Sequence, residues 1–359
     1  MSALIIGAGM FSLPYLFSKS GLVVGFLYLA IFAPLLGVLH VMYYEIVQKT
    51  PGHTRFVGYA RKYLGIPGFV LSLFTTVVGL TLSLLIYLVL AASFMRIVLP
   101  ELNESFVVWP LWAAASFTVL KGIKSFGWMG ILITVVLSVI TVLFFIFGFQ
   151  VFLSMESIWE ANFANWLLPY GAVLFALSGR SAVTAVKEYF GEKGDKFAKP
   201  SIFAGTLFPV LLYAVFVIGV LGLSTTVSEN ALAGMDLAPS ILIWALVVVG
   251  VLFSFWDSYV FLGLELNSIL KEDFKLKNLS KVLVVLLPIT LYFMGLQSFI
   301  VLVSVSGGIF LALESILVIS MWLKLAPRSI LVKLAASVLI AIFVIGGVLV
   351  LQELVLASS

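Results

Sequence analysis

Long runs of apolar residues, separated by short segments that hold most of the charges, dominate this sequence. Apolar side chains occupy 63% of the 359 positions and charged side chains only 10%, whereas soluble domains carry about 25% charged residues. A bilayer core offers no hydrogen-bonding partner to backbone amides and carbonyls, so segments that cross it must be helices or a closed barrel. Because the apolar runs are long and do not alternate with polar residues at every second position, they predict helices.

Eleven segments are long and apolar enough to be transmembrane helices. The hydrocarbon core of a bilayer is about 30 Å thick, and a helix needs about 20 residues to cross it. Applying this length to the chain predicts an all-α membrane protein with a single transmembrane domain. The predicted spans are 1–20, 22–48, 67–95, 106–120, 127–153, 166–189, 201–223, 239–265, 281–297, 299–323 and 330–352.

The positions of the basic residues predict the orientation of these spans. With a cytoplasmic N-terminus, most of the 20 Lys and Arg residues fall in or beside inward-facing loops, such as those that hold Lys49, Lys121 and Lys271. Loops between membrane spans carry their excess of Lys and Arg on the cytoplasmic side. We therefore expect a multi-pass protein of the cell membrane, with its N-terminus in the cytoplasm and its C-terminus outside.

Few residues are suited to metal or covalent chemistry. The chain has no cysteine, which excludes disulfides, thiolate metal sites and cysteine nucleophiles, and only two histidines, His40 and His53. We predict structural roles for both histidines, no enzymatic activity, and no metal or cofactor beyond a possible coupling Na⁺ or H⁺. The basic residues form no cluster with aromatic residues, so no nucleic-acid partner is expected.

Two of the predicted spans contain residues that interrupt helices. In span 1, Gly7 and Gly9 are followed by Pro14; glycine loosens a helix, and proline begins a helix more readily than it continues one. In span 6, a Ser-Gly pair at 178–179 precedes the charged Arg180. Glycines also serve as close-packing residues in continuous membrane helices, but the matched positions in spans 1 and 6 favour interruption.

The grouping of the spans predicts an inverted repeat with a binding site at its centre. Interrupted helices in corresponding positions of two repeats are typical of transporters whose substrate sites lie near the bilayer midplane. We therefore assign 1–153, with spans 1–5, to a first repeat and 166–323, with spans 6–10, to an inverted second repeat. The segment 330–352 is an additional eleventh span.

Several short motifs resemble a known family. The opening resembles that of amino acid permeases of the amino acid-polyamine-organocation superfamily, and two later motifs are similar to the sixth and eighth spans of its aromatic amino acid permease and amino acid-auxin permease branch. The motifs are Gly7-Ala8-Gly9-Met10-Phe11-Ser12-Leu13-Pro14, Lys187-Glu188-Tyr189-Phe190-Gly191 and Ser258-Tyr259. The resemblance covers most of the chain and implies the LeuT-type fold, with spans 1 and 6 discontinuous.

The interrupted helices provide candidate groups for binding an amino acid. Broken helix ends expose amides that bind carboxylates and carbonyls that bind ammonium groups. We expect the substrate carboxylate at the amides of residues 9–11 and the ammonium group at the carbonyls of residues 175–177. The candidate substrate-binding residues are Gly7, Ala8, Gly9, Met10, Phe11, Phe175, Ala176, Leu177, Ser178, Gly179 and Tyr259.

Charged residues inside the predicted spans are candidates for ion coupling, because charges within a membrane usually face the interior of the bundle. Ser254, Asp257 and Ser258 are spaced to lie on one helical face. The resemblance places this face opposite the backbone of Ala3 and Ile6, where LeuT-type transporters bind sodium. Asp257 could hold Na⁺ or, in its protonated form, the coupled proton.

Other intramembrane charges leave further possibilities open. Arg180 could form a structural ion pair with Asp257, or its fixed charge could replace the coupling cation. Glu314 is expected either in the vestibule or, uncharged, at a helix interface, and Glu45 is expected to reach Lys49 or another nearby basic residue. The candidate ion-coupling residues are Ala3, Ile6, Ser254, Asp257, Ser258 and Arg180.

These features predict a secondary active transporter for neutral or aromatic amino acids that is coupled to H⁺ or Na⁺ and works by alternating access. The alternatives are a transporter-like sensor and an uncoupled exchanger or uniporter; a channel fits less well because no symmetric filter is visible. The expected partners are an amino acid and the lipid bilayer, with the chain a monomer or weak oligomer. Six residues precede Gly7, about 9 Å of helix, which suggests a start assigned too far downstream.

Overall fold

A computed structural model describes residues 1–50, 55–122, 127–155, 159–191, 194–235, 241–327 and 329–358. His53 lies outside these ranges. Over them, the chain is almost entirely helical, and its β-structure is an isolated bridge between Ser224 and Met235. The helices are α1 (Ser2–Ile5), α2 (Leu13–Ser20), α3 (Leu22–Lys49), α4 (Phe56–Val98), α5 (Glu104–Lys121), α6 (Gly127–Leu153), α7 (Leu168–Ala176), α8 (Arg180–Phe190), α9 (Asp195–Leu223), α10 (Ile241–Glu272), α11 (Lys277–Phe293), α12 (Phe299–Val305), α13 (Ala312–Leu325) and α14 (Ile330–Ser358).

Six continuous helices in the described part of the chain are long and apolar enough to cross a bilayer. They overlap predicted spans 2, 3, 5, 7, 10 and 11, whereas α5, α10 and α11 overlap spans 4, 8 and 9. Predicted spans 1 and 6 each correspond to a pair of short helices, α1 with α2 and α7 with α8. The six long helices are Leu22–Lys49, Phe56–Val98, Gly130–Leu153, Lys196–Leu223, Phe299–Leu325 and Ile330–Leu356.

The chain of the first predicted span changes conformation twice. After α1, Ile6 is extended, with φ of −70° and ψ of 100°, and Gly7 is extended as well. A 3₁₀ segment follows at Ala8–Ser12. Pro14 then stands in the first turn of α2, where proline's missing amide hydrogen removes no helical hydrogen bond. We call residues 6–12 the first interrupted stretch.

The sixth predicted span is divided in a similar way. Leu177, Ser178 and Gly179 form a non-helical link between α7 and α8. Pro169 stands in the first turn of α7, as Pro14 does in α2. We call residues 175–180 the second interrupted stretch.

Helix α4 begins at Phe56, well before the predicted third span at residue 67. Gly65 interrupts it with φ of 72° and ψ of −156°, a conformation that favours glycine. The segment before Gly65 therefore forms a short helix of its own, and the Phe56 ring on it is buried. Hydropathy did not predict this helix because Arg61 and Lys62 make the segment less apolar than a span.

Close contacts between glycines hold several of the helices together. A π-helical segment at Ser306–Leu311 joins α12 to α13, and a Cβ at Gly307 would lie 1.8 Å from the carbonyl oxygen of Gly171 in α7. A Cβ at Gly222 of α9 would likewise lie 1.9 Å from the carbonyl oxygen of Gly148 in α6. Such contacts matter in lipid, because packing rather than the hydrophobic effect holds membrane helices together.

Candidate functional site

The two interrupted stretches border one cavity of about 80 Å³ inside the bundle. Other walls of this central cavity come from Ser83 and Tyr87 of α4, Ser258 of α10 and Glu314 of α13. The cavity is therefore surrounded by non-helical backbone, hydroxyl groups and charged side chains. The residues that border it from the two stretches are Gly7, Ala8, Gly9, Phe175, Ser178, Gly179 and Arg180.

Gly9 brings the backbones of the two stretches into contact. A Cβ at this position would lie 2.4 Å from the Cα atom of Ala176 and 2.8 Å from its amide nitrogen. Both atoms belong to the backbone of α7, so rotation of a side chain could not relieve the collision. The two stretches can approach this closely only because residue 9 is glycine.

Tyr213 of α9 connects the carbonyl ends of α1 and α7, which lead into the two interrupted stretches. Its hydroxyl oxygen lies 2.8 Å from the carbonyl oxygen of Ile5, at the end of α1, and 2.8 Å from that of Ala176, at the end of α7. Carbonyls in the last turn of a helix have no amide partner within that helix. A hydroxyl carries one hydrogen, so Tyr213 donates to one of the two carbonyls at a time.

Replacing Tyr213 with phenylalanine is expected to lower the free energy of unfolding by about 1–3 kcal/mol, because the one donor that two buried carbonyls share is lost. Thermal unfolding of the purified protein in detergent measures the change. Tyr259→Phe is the matched control, since the Tyr259 side chain is equally buried but lies beside Ser116 of α5. Equal unfolding temperatures for Tyr213→Phe and the wild type would contradict the role of this hydroxyl.

Tyr87 of α4 places its hydroxyl at the first interrupted stretch. The hydroxyl lies near the side chain of Ser258 of α10 and the backbone of Ala8. A Cβ at Gly7 would lie 2.7 Å from the Tyr87 hydroxyl oxygen and 3.9 Å from the Ser258 hydroxyl oxygen. A polar ligand at this point would therefore meet hydroxyls of two helices as well as exposed backbone.

His40 of α3 is hydrogen-bonded to the second interrupted stretch. The amide of Gly179 donates to His40 Nε2 at 3.2 Å, so this nitrogen carries no hydrogen. His40 Nδ1 lies 2.9 Å from the Thr206 hydroxyl, which itself donates to the carbonyl of Ile202. Nδ1 is therefore the protonated nitrogen, and the imidazole is neutral. These contacts are those of a structural histidine.

Arg180, the first residue of α8, lies between two carboxylates. Its Nε is 2.8 Å from Glu314 Oε2 of α13, and its Nη2 is 3.5 Å from Glu265 Oε1 of α10. Thr76 of α4 donates to Glu314 at 3.0 Å, and Ser181 donates to Glu265. These contacts connect four helices beside the central cavity, and we call Arg180, Glu265 and Glu314 the Arg180 cluster.

Aromatic rings cover the guanidinium of Arg180. Its Cζ lies 4.4 Å from the ring centroid of Phe56 and 6.0 Å from that of Tyr43, distances at which a cation is attracted to an aromatic face. Phe56 belongs to the unpredicted short helix before Gly65, so that helix supplies part of this site. The ion pair between Arg180 and Asp257 that the sequence suggested is not among the described contacts of Arg180.

Four phenylalanines pack together beside the first interrupted stretch. Phe11 meets Phe94, Phe216 and Phe255 edge to face, with ring centroids 5.1, 5.4 and 5.6 Å away. All four rings are buried. Phe11, a predicted substrate contact, is therefore part of a packed aromatic cluster, which we call the Phe11 cluster, and not of the cavity wall.

The predicted site residues divide into those on the cavity wall and those behind it. Of residues 7–11, Gly7, Ala8 and Gly9 border the cavity, whereas the amide of Met10 donates to the carbonyl of Gly7 at 3.3 Å within the 3₁₀ segment. Ala3 lies beside α6, where a Cβ at Gly130 would be 3.7 Å from the Ala3 Cβ. The predicted residues that do not border the cavity are Ala3, Ile6, Met10, Phe11, Ala176, Leu177, Ser254, Asp257 and Tyr259.

Tyr87, Tyr213 and Glu265 belong to the site, although sequence reasoning did not single them out. Each is a polar group within a largely apolar helix, and such groups tend to face the bundle interior, so a signal was present. The partners of each residue lie far away in the sequence, and no local pattern pairs them. Glu45 pairs with Lys199 at 2.8 Å, one of the nearby basic residues that the sequence offered for it.

Comparison with known proteins identifies the fold. No protein-family model and no curated protein matches the sequence, whereas 60 chains of solved structures match in three dimensions. One is the crystal structure of MhsT in complex with L-phenylalanine, with a TM-score of 0.70 at 15% sequence identity; the match covers 98% of this chain and 96% of that chain. The chain is therefore a multi-pass helical membrane protein with the LeuT fold of MhsT.

Proposed function

We propose that this chain is a secondary active transporter that carries an amino acid by alternating access. The observation that supports the proposal best is the central cavity, which lies where two interrupted helices meet and is bordered by their backbone. The solved structure of MhsT, which shares the fold, contains L-phenylalanine. We therefore take a neutral or aromatic amino acid as the substrate.

The cavity wall suggests how the two ends of an amino acid would be held. The carboxylate would bind at the backbone of residues 7–9, beside the hydroxyls of Tyr87 and Ser258. The ammonium group would bind at the carbonyls around Phe175 and Ser178. Because the carbonyl of Ala176 already contacts the Tyr213 hydroxyl, we give Ala176 and its neighbour Leu177 a supporting role behind the wall.

The size of the cavity implies that helices move during transport. A volume of about 80 Å³ is smaller than the clefts of about 300–1,000 Å³ that usually hold small-molecule ligands. We therefore expect the surrounding helices to separate before an aromatic amino acid can enter. The Phe11 cluster joins the first interrupted stretch to α4, α9 and α10, so we expect its rings to part when the cavity opens on that side.

The proposal includes the arrangement of the spans, their orientation and the coupling ion. Residues 1–153 and 166–323 form two inverted five-span repeats with spans 1 and 6 discontinuous, and 330–352 adds an eleventh span. The N-terminus is cytoplasmic. Coupling uses Na⁺ or H⁺, and the residues proposed to take part in it are Ala3, Ile6, Ser254, Asp257, Ser258 and Arg180.

Uptake by the purified protein in proteoliposomes tests the function. Labelled amino acids, including L-phenylalanine, L-leucine and L-alanine, are offered under a sodium gradient and a pH gradient imposed separately, with empty liposomes as the control. We expect at least one amino acid to accumulate under one gradient. Binding without flux under either gradient would indicate a sensor, and exchange that no gradient drives would indicate an uncoupled carrier.

A further inference from the structure

We propose that the coupling ion is a proton and that Glu265 of the Arg180 cluster carries it. This inference rests on the proposed transport function and names the ion that drives it. The ionised Glu265 accepts a proton from one side of the membrane. It remains a neutral carboxylic acid while the transporter changes conformation, and it then releases the proton to the other side.

The charges of the Arg180 cluster do not balance. Two carboxylates face one guanidinium, which stays protonated in proteins, so full ionisation leaves one negative charge in excess. The side chains are largely buried, with exposed fractions of 13% for Arg180, 8% for Glu314 and 17% for Glu265. An uncompensated charge away from water is costly, and a proton on one carboxylate removes it.

The two carboxylates are held differently, and this difference selects Glu265. Glu314 accepts from Arg180 Nε at 2.8 Å, contacts Nη2 at 3.5 Å and also accepts from Thr76, so three donors stabilise its ionised form. Glu265 has one contact of 3.5 Å with Arg180 and the hydroxyl of Ser181. A hydroxyl can also accept a hydrogen bond, so Ser181 can serve Glu265 in either protonation state.

The cluster suits a proton better than a metal cation. A metal ion needs several oxygen atoms around an open centre, but the guanidinium of Arg180 already lies between these two carboxylates. A proton needs no such space, and its binding leaves the ion pair between Arg180 and Glu314 in place.

Two titratable groups near Glu265 have partners that keep them from competing for the proton. His40 accepts from the amide of Gly179, so its protonation would break that bond. On the same helix as Glu265, Glu272 pairs with Arg55 at 3.0 Å. Further titratable groups in the described part of the chain are Tyr43 of α3, Tyr59 of α4 and, near the cavity, Tyr87 of α4 and Asp257 of α10.

Protonation of Glu265 would act on the substrate cavity through α8. Arg180 and Ser181 open this helix directly after Ser178 and Gly179, which border the cavity, and both contact Glu265 of α10. Neutral Glu265 attracts Arg180 less, so α8 is held to α10 more weakly. Ser258, on the cavity wall, precedes Glu265 by two helical turns on α10, so movement between α8 and α10 changes the width of the cavity.

Infrared spectroscopy tests the proton site without requiring transport. Difference spectra of the purified wild type between acidic and neutral pH are expected to show the band of a protonated carboxylic acid, and Glu265→Gln is expected to lose it. The matched control is Glu272→Gln on the same helix, which should keep the band. An unchanged band in Glu265→Gln would overturn the proposal. Should that variant fail to fold, Glu265→Asp replaces it, and a band unshifted from the wild type would overturn the proposal.

Transport assays then distinguish the coupling of protons to the substrate from the movement of the substrate itself. With the membrane potential clamped and one proton per substrate, a gradient of one pH unit can drive about tenfold accumulation. We expect the wild type and Glu272→Gln to approach this ratio with L-phenylalanine, and Glu265→Gln to equilibrate without accumulation while still exchanging labelled for unlabelled L-phenylalanine. Accumulation by Glu265→Gln equal to that of the wild type would overturn the proton site. If the wild type itself showed no exchange, the transport function for this substrate would be overturned, and the infrared result would decide the proton site.

Discussion

Replacing Gly9 with valine is expected to abolish amino-acid uptake. Even the first added carbon would lie 2.4 Å from the Cα atom of Ala176, and overpacking a rigid contact costs about 1–3 kcal/mol or more. Here the collision involves two backbones, so the interrupted stretches must separate and the cavity between them must change shape. Uptake into proteoliposomes, measured with protein that elutes as a single species in detergent, checks this result.

A second glycine provides the control for the Gly9 variant. Gly79 of α4 also borders the cavity, but a Cβ there would lie 3.5 Å from the Phe310 Cβ, an ordinary contact distance. Gly79→Ala is therefore expected to keep most of the uptake. Wild-type uptake by Gly9→Val would show that the contact between the two stretches is not needed for transport.

Replacing Arg180 with methionine is expected to have the largest effect on stability. The change leaves Glu265 and Glu314 facing each other without their cation, and removing one partner of a buried ion pair costs about 3–5 kcal/mol. We expect a large fall in the unfolding temperature and in the yield of monodisperse protein. Adding Glu265→Gln and Glu314→Gln to Arg180→Met should recover much of the loss, because the triple variant has no uncompensated charge.

The surface ion pair between Arg55 and Glu272 is the control for the Arg180 variant. Their side chains are 35% and 52% exposed, and exposed pairs contribute at most about 1 kcal/mol. Arg55→Met should therefore change the unfolding temperature little. Similar unfolding temperatures for Arg180→Met and Arg55→Met would contradict the view that Arg180 holds the cluster together.

Much of the helical architecture could be predicted from local sequence. Apolar runs of the right length indicated the helices, because burial in lipid selects for them directly. Gly7, Gly9 and the Ser-Gly pair at 178–179 lie at or next to places where the structure leaves α-helical geometry, since the cause of an irregular backbone is local. The short helix at Phe56 was missed because its burial depends on neighbouring helices and not on its own hydropathy.

The polar contacts of the site could not be predicted in the same way. Arg180 is separated from Glu265 and Glu314 by long stretches of chain, and a lone sequence gives no information on which distant charges meet. The sequence offered Asp257 as one possible partner for Arg180 because it is an acid within a membrane span, but the fold places Glu265 and Glu314 beside the guanidinium. Met10 and Phe11 were expected at the substrate because they follow Gly9 in the interrupted span. In the structure they lie in a 3₁₀ segment and do not border the cavity. This turn of the backbone has no sequence signature.

The absence of cysteine from the chain allows a direct test of whether the central cavity is the amino-acid site. Ser83 borders the cavity, and its hydroxyl donates to the carbonyl of Gly79 in its own helix, so Ser83→Cys introduces one thiol there with little disturbance. An exposed cysteine at Ser154 serves as the control. We predict that L-phenylalanine, or whichever amino acid is taken up best, slows modification of Ser83→Cys by a small thiosulfonate reagent and leaves Ser154→Cys unaffected. Unchanged modification of Ser83→Cys at substrate concentrations that saturate uptake would contradict a substrate site between the two interrupted stretches.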